Sequence, residues 1–289
     1  MNNRTPISTA TRLCAVIGNP IGHSLSPAIH NAAFEALGLD FVYVSFRVED
    51  LQGALAGMRA LENFRGMSVT IPHKIEAMKY LDEIAEVDRS IGSINTIINE
   101  NGRLIGLGTD GPGALKALTD AGVGLAGKSI LMVGAGGASR AIAFTLARLA
   151  TPELLTLLDI NEGLLTGLTA DLRAGTDTKI SSSILNYDSL AAAMAHADVI
   201  INCTPIGMHP KENASVIPAG LFRQGQSVFD IVYSPLETKL LADARSKGLK
   251  TVSGVEMFIN QAVLQFRQFT GVDAPEEVMR QVVMARLGA

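Results

Sequence analysis

The stretch SILMVGAGGASRAIAFTLARL, residues 129–149, decides the fold. Ser129 to Val133 is an apolar run of strand length, Gly134 to Gly137 turns the chain, and Ala138 to Leu149 carries apolar residues at helical spacing. Another apolar run, Leu154 to Leu158, follows. Strand, glycine turn, helix and strand in that order make one half of a doubly wound nucleotide-binding sheet. Gly134, Ala135, Gly136, Gly137 and Ala138 leave the backbone free to approach a pyrophosphate, whose charge the helix N-terminus stabilises. A glycine cluster by itself is equally a tight turn; its place after the first strand of such a unit is what points to a dinucleotide.

The end of the next strand discriminates between cofactors. Asp159 lies about 20 residues beyond the turn, where a carboxylate accepts hydrogen bonds from adenosine ribose hydroxyls and repels a 2'-phosphate. Asp159-Ile160-Asn161-Glu162 holds no Lys or Arg, so NAD is favoured and NADP is the alternative; a capping role for Asp159 at the following helix accounts for the same residue. Cys203-Thr204-Pro205-Ile206-Gly207-Met208 closes a later strand, either as a ligand contact or as a plain Pro-Gly loop. Further strands are read at Val199 to Asn202, Ser227 to Ile231 and Lys250 to Val252.

Upstream, strand-like runs at Leu13 to Asn19, Phe41 to Val48 and Gly66 to Ile71 alternate with helical patterns at Ser26 to Leu37 and Leu51 to Leu61. Ile75 to Ile84 also carries a helical pattern, and Asn95 to Ile98 with Leu104 to Leu107 flank a hairpin turn at residues 99–102. A helix from Ala114 to Ala121 precedes the glycine-rich half, and helices at Glu256 to Thr270 and Pro275 to Leu287 end the chain. With 289 residues the chain exceeds one typical domain. The fold class is therefore α/β with two domains. An N-terminal α/β substrate domain, 1–110, is joined by returning C-terminal helices, 255–289, and a Rossmann-like dinucleotide-binding domain spans 111–254.

Composition narrows the function classes. A chain with 47% hydrophobic and 18% charged residues is globular rather than disordered. Its formal net charge of -4, with Lys and Arg scattered, argues against a nucleic-acid partner. No apolar run approaches the roughly 20 residues that span a bilayer, and Met1 to Arg12 lacks the pattern of a secretory leader, so a cytoplasmic protein with no membrane partner is expected. Cys14 and Cys203 sit in apolar runs and read as reduced, buried thiols. The histidines show no paired ligand spacing, so no metal is expected.

Four segments outside the glycine-rich half carry polar residues that apolar packing does not explain: residues 24–27, 68–74, 95–96 and 109–111. Each follows or interrupts a strand, where a rigid scaffold presents binding groups. Taken alone, Ser24 and Ser26 before Pro27 also read as a helix cap and its loop, Lys74 as a solvated charge, and Asp110 as a turn-former.

In their order, these segments resemble the shikimate dehydrogenase family, which includes quinate/shikimate dehydrogenases, nearly from end to end. The resemblance implies substrate contacts at Ser24 and Ser26 in IGNPIGHSLSP (residues 17–27), at Thr70 in VTIPHK (69–74), at Asn95, at Tyr233 and at Gln261. It implies Lys74 as the catalytic lysine and Asp110 as its partner acid. Thr204, the backbone near Ile231 and Gly254 fall on the nicotinamide side. The chain departs from the family pattern in three places. Gly108 replaces the usual Asn before Thr-Asp-Gly, Gly254-Val255-Glu256-Met257 replaces Gly-Leu-Gly-Met, and Asp159 replaces the Asn-Arg of NADP-using members.

The implied reaction passes a hydride between a nicotinamide dinucleotide and shikimate or 3-dehydroshikimate, as in chorismate and aromatic amino acid biosynthesis. Lys74 and Asp110 share the proton; which is the formal base stays open, because an adjacent carboxylate works against lowering a lysine pKa. Asp159 favours an NAD-dependent enzyme of broad specificity that also takes quinate. The otherwise complete motif set favours the biosynthetic enzyme, and a non-catalytic ligand-binding homologue is the third reading. A monomer or a homodimer fits the sequence equally.

Overall fold

A parallel pair of strands cannot be closed by a tight turn, so the chain must cross back through a longer connection, usually a helix. In the computed structural model, which describes residues 6–288, four of the five crossovers of the second half are helical, and residues 203–226 cross with only the short 3-10 turn Ala219–Leu221. Met1 to Thr5, within the stretch read above for a leader, and Ala289 lie outside the described residues. The chain divides into two units: one runs to Thr109 and resumes at Gln261, and the other is Asp110–Asn260.

The first unit contains β1 (Arg12–Gly18), α1 (Ser26–Ala36), β2 (Phe41–Arg47), α2 (Leu51–Arg59), β3 (Phe64–Val69), β4 (Glu83–Ile84), α3 (Glu86–Ile91), β5 (Thr96–Glu100) and β6 (Arg103–Leu107). Its mixed sheet has the order β2-β1-β3-β5-β6-β4. β1 runs parallel to β2 and β3, and β5 runs antiparallel to β3 and β6. The predicted hairpin is present: Asn101 and Gly102 both have positive φ, 54° and 85°, the pairing that lets a two-residue turn follow the strand twist. The helix read over Ile75 to Ile84 is not formed. A single 3-10 turn, Glu76–Tyr80, gives way to the extended β4, which pairs with β6. Asp82 exchanges hydrogen bonds with Leu104 and receives the Arg59 guanidinium, so pairing with β6 outweighs the apolar spacing that suggested a helix.

The second unit contains α4 (Asp110–Asp120), β7 (Ser129–Val133), α5 (Gly137–Leu149), β8 (Leu154–Asp159), α6 (Glu162–Gly175), β9 (Lys179–Ile184), α7 (Tyr187–Met194), β10 (Val199–Asn202), β11 (Ser227–Asp230), α8 (Lys239–Ser246) and β12 (Lys250–Val252). All six strands are parallel, in the order β9-β8-β7-β10-β11-β12. Read in chain order this is 3-2-1-4-5-6, the dinucleotide-binding arrangement. The strand interiors, among them Leu131, Val133, Ile200 and Val228, are buried in one continuous core.

The chain ends with α9 (Gly254–Thr270) and α10 (Glu276–Leu287). The first unit takes up α10 against α1, with Met279 and Val283 buried. Arg65 donates to the carbonyls of Gln268 and Phe269 at the end of α9, where a guanidinium complements the helix dipole.

His30 of α1 sits within this unit at 0% exposure, stacked on Tyr43 at 4.4 Å and ringed by Phe34, Phe266 and Phe269. Neither ring nitrogen has a hydrogen-bond partner. Burial pushes its pKa down to about 3 from 6.5. The folded ring stays neutral while the unfolded one protonates, so stability is complete above the unfolded pKa and falls as the pH drops below it. Urea unfolding should show the native chain losing about 2 kcal/mol more than His30→Phe between pH 7 and pH 5. Equal losses would mean that the folded ring accepts a proton.

Candidate active site

Strand direction alone gathers the first unit's polar segments at one sheet edge. β1 and β3 end there, the antiparallel β5 begins there, and β6 ends there again. Ser24 and Ser26 follow β1, Thr70 and Lys74 follow β3, Asn95 immediately precedes β5, and Thr109 lies just beyond β6.

Asn95, 2% exposed, is the centre of this edge. Its Oδ1 accepts from the Thr109 N–H at 2.7 Å and its Nδ2 donates to Thr109 Oγ1 at 2.9 Å. Asn95 Nδ2 also reaches Gln261 Oε1 at 3.4 Å. One turn further along α9, Gln265 donates to Asn95 O and Thr96 Oγ1 and accepts from Ser68 Oγ, which in turn accepts from the Tyr43 hydroxyl. Every link is buried, so each polar group needs its partner. Gln265 was not singled out from the sequence; its spacing of four from Gln261, on the same helix face, is the signal that could have found it.

Lys74 is half-buried in the turn after β3, and its carbonyl accepts from Ile94 N–H, which joins that turn to Asn95. Behind it, His73 is anchored to Val48 O at 2.9 Å. Ser26 is the first residue of α1 and 5% exposed; it is not the cap, since Leu25 holds that position without a side-chain bond. Ser24 Oγ accepts from Ser26 N–H at 3.3 Å. Thr70 N–H donates to Ile17 O, which fixes the residue beside the end of β1.

In the second unit the candidate residues share the edge where all strands end. Gly134 has φ 109°, and a Cβ there would lie 2.9 Å from the carbonyl carbon and oxygen of Cys203, so only glycine fits. Space beside Gly136 is open, and α5 begins after it without a side-chain cap, leaving Gly137, Ala138 and the N–H groups of the first turn for an anion. Asp159 does not cap α6. Asn161 does, through Leu164 N–H, while Asp159 accepts from Ala135 N–H at 2.5 Å and Asn161 N–H at 2.7 Å.

Past β10, Thr204 donates its N–H and hydroxyl to Asn202 Oδ1. Asn202 Nδ2 and Thr238 Oγ1 donate to the buried Asp230, whose pKa burial pushes up to about 6. Ile231 N–H bonds Asn202 O, Tyr233 stacks on Phe258 at 4.4 Å, and Gly254 packs against the carbonyls of Ile231 and Val232. Burial pushes the Cys203 thiol up to about 12. Asp110 is the first residue of α4, 5% exposed, rather than part of a free turn before a later helix. Glu256 lies in the first turn of α9. Among the described residues no group of three His, Cys, Asp or Glu could hold a metal ion, and no helix is long and apolar enough to cross a membrane.

A parallel sheet with a glycine turn at its switch point, joined to a unit with a polar sheet edge, defines a two-unit α/β dehydrogenase. Two family models match: the shikimate dehydrogenase substrate binding domain over residues 16–97, and the shikimate 5'-dehydrogenase C-terminal domain over residues 254–284. The shikimate dehydrogenase (NADP(+)) of Moorella thermoacetica is 42% identical, over 98% of this chain and 96% of the relative. A shikimate dehydrogenase solved with NADP+ superposes with TM-score 0.89 at 38% identity, covering 98% of both chains. Shikimate 5-dehydrogenase from Listeria monocytogenes, solved with shikimate and NAD, has TM-score 0.87 at 33% identity, covering 96% of this chain and 98% of that one. The chain belongs to the shikimate dehydrogenase family.

Gly134→Ala forces a strained φ and a backbone clash, and should lower the unfolding free energy by about 2 kcal/mol, read as a reduced urea midpoint. An unchanged midpoint would show that the β7 turn can shift.

Proposed function

We propose that this chain is a shikimate dehydrogenase, interconverting shikimate and 3-dehydroshikimate with NAD(H) as its preferred dinucleotide. The observation that carries the reading is the buried Asn95, Thr109 and Gln261 cluster on the sheet edge that also presents Thr70 and Lys74. A polyhydroxylated acid needs such a set of fixed donors and acceptors. Ser24 and Ser26 suit its carboxylate, and Tyr233 is a further contact. The expected setting is cytoplasmic, with small molecules as partners.

When bound, the nicotinamide ring accepts or returns the hydride at the secondary alcohol. The chain's own residues do the rest. Lys74 and Asp110 share the hydroxyl proton, and Lys74 is the group that moves it. Asn95 and Gln261 orient the ring hydroxyls, because their amides are already held by Thr109 and by each other. Gly134 to Ala138 would hold the pyrophosphate, and Thr204, Ile231 and Gly254 would line the nicotinamide side.

The Asp159 carboxylate has four lone-pair positions, and the two N–H groups it already accepts leave room for ribose hydroxyls. The same negative charge, with no Lys or Arg from 159 to 162, opposes a 2'-phosphate. The curated relatives are named for NADP(+), so the charge at Asp159 carries the NAD reading by itself, and with it the second reading, a broad-specificity enzyme that also oxidises quinate.

Initial rates at the reduced-nicotinamide band, with shikimate and quinate each paired with NAD and NADP, test these statements together. Shikimate turnover with NAD preferred is the expected result, and quinate turnover would select the second reading. A preference for NADP would remove Asp159 from the cofactor argument, and no turnover with any pair would overturn the enzymatic reading. Lys74→Ala should lower kcat by about a hundredfold or more with a modest change in KM; an unchanged kcat would exclude Lys74 as the proton carrier.

A further inference from the structure

Gly108 stands directly before Thr109-Asp110, where the family pattern has Asn. Space for that side chain is taken by a residue from another element. Asp88, in the middle of α3, is 6% exposed, and its carboxylate packs directly against Gly108, whose backbone N–H lowers its pKa. A Cβ at position 108 would lie 2.5 Å from Asp88 Oδ1, closer than real contacts allow, and 3.4 Å from its Cγ. Any side chain at 108 must therefore displace the carboxyl group from the Gly108 backbone. Burial raises the Asp88 pKa and the Gly108 N–H opposes that rise, so a displaced carboxylate loses the partner that compensates its desolvation.

Thr109, the next residue, is held from its other side by Asn95, through the two bonds described above. The stretch before Asp110 is thus clamped between an acid on α3 and an amide at the start of β5. We propose that Asp88 is a positioning residue. By packing on the Gly108 backbone it fixes Thr109, which keeps Asn95 and Gln261 aimed at substrate, and an acid at 88 and a glycine at 108 form a mutually dependent pair. The inference rests on reading Asn95 and Gln261 as substrate contacts.

Wild type, Asp88→Asn, Asp88→Ala, Gly108→Asn and the double variant Asp88→Ala/Gly108→Asn are compared by steady-state kinetics and by thermal midpoint. Asp88→Asn keeps an acceptor at Oδ1 and should stay within about threefold of wild-type kcat/KM for shikimate. Asp88→Ala and Gly108→Asn should each lose about tenfold or more, with the dinucleotide KM unchanged, whereas the double variant recovers at least about fivefold over Gly108→Asn. Losses that multiply in the double variant, or Asp88→Asn as damaging as Asp88→Ala, would overturn the proposal. Gly108→Asn protein that does not fold, beside a double variant that does, supports the pair. Should neither fold, Asp88→Asn against Asp88→Ala decides. Absence of shikimate turnover in the wild type itself would be a failure of the functional reading and not of the pair.

Discussion

Asn95 and Thr109 meet through two hydrogen bonds made out of reach of water, and the first unit's polar edge is arranged around them. A buried primary amide left half-satisfied costs more than the same amide at the surface, so this pair holds only if its neighbours also conform. Those neighbours come from distant parts of the chain: Gln261 and Gln265 from a helix more than 150 positions away, and Ser68 and Tyr43 from two strands. The result is a polar floor with fixed dipoles beneath a sheet edge whose strand ends supply the remaining side chains. Preorganisation of this kind distinguishes a binding surface from a merely polar one.

The second unit solves a different problem by a backbone device. Parallel strands all deliver their carboxyl ends to the same side, and the order reverses between β7 and β10, where Gly134 lies against Cys203. Asp159, at the end of β8, ties itself to Ala135 in the glycine turn, so the residue proposed to bear on cofactor choice also braces that turn. A substitution at Asp159 therefore acts on two features at once.

Much of this could be read from the chain directly, because strands with contiguous apolar residues and a glycine turn at a fixed place carry their own signal. β9 carries no such signal: its KISSSI run offers three serines on an edge strand with little to bury, so no apolar run announces it. The helical spacing at Ile75 to Ile84 misled because pairing of Glu83 and Ile84 with β6 is a long-range fact. Ser26 resembled a cap, yet the helix starts one residue earlier than a Ser cap requires. Gly108 was visible as a departure, while its cause, Asp88, lies 20 positions upstream and becomes a neighbour only in the fold. Resemblance to the family is what pointed to the candidate residues; most of the hydrogen bonds that hold them join segments far apart in the chain and have no counterpart in sequence spacing.

Cys203 is only partly buried, not the fully buried thiol its apolar run suggested, because it lies just past the end of β10; desolvation still pushes its thiol up to about 12. Nucleophilic sulfur is the thiolate, and near neutral pH almost none of this sulfur is in that form. Peroxide, alkylating reagents and disulfide exchange should all find it slow, although it lies next to the glycine on which the turn depends. Cys14 is buried and its thiol is shifted upward as well, for the same reason. Both thiols are thus held in the protonated form near neutral pH, and partial exposure makes Cys203 the more reachable of the two.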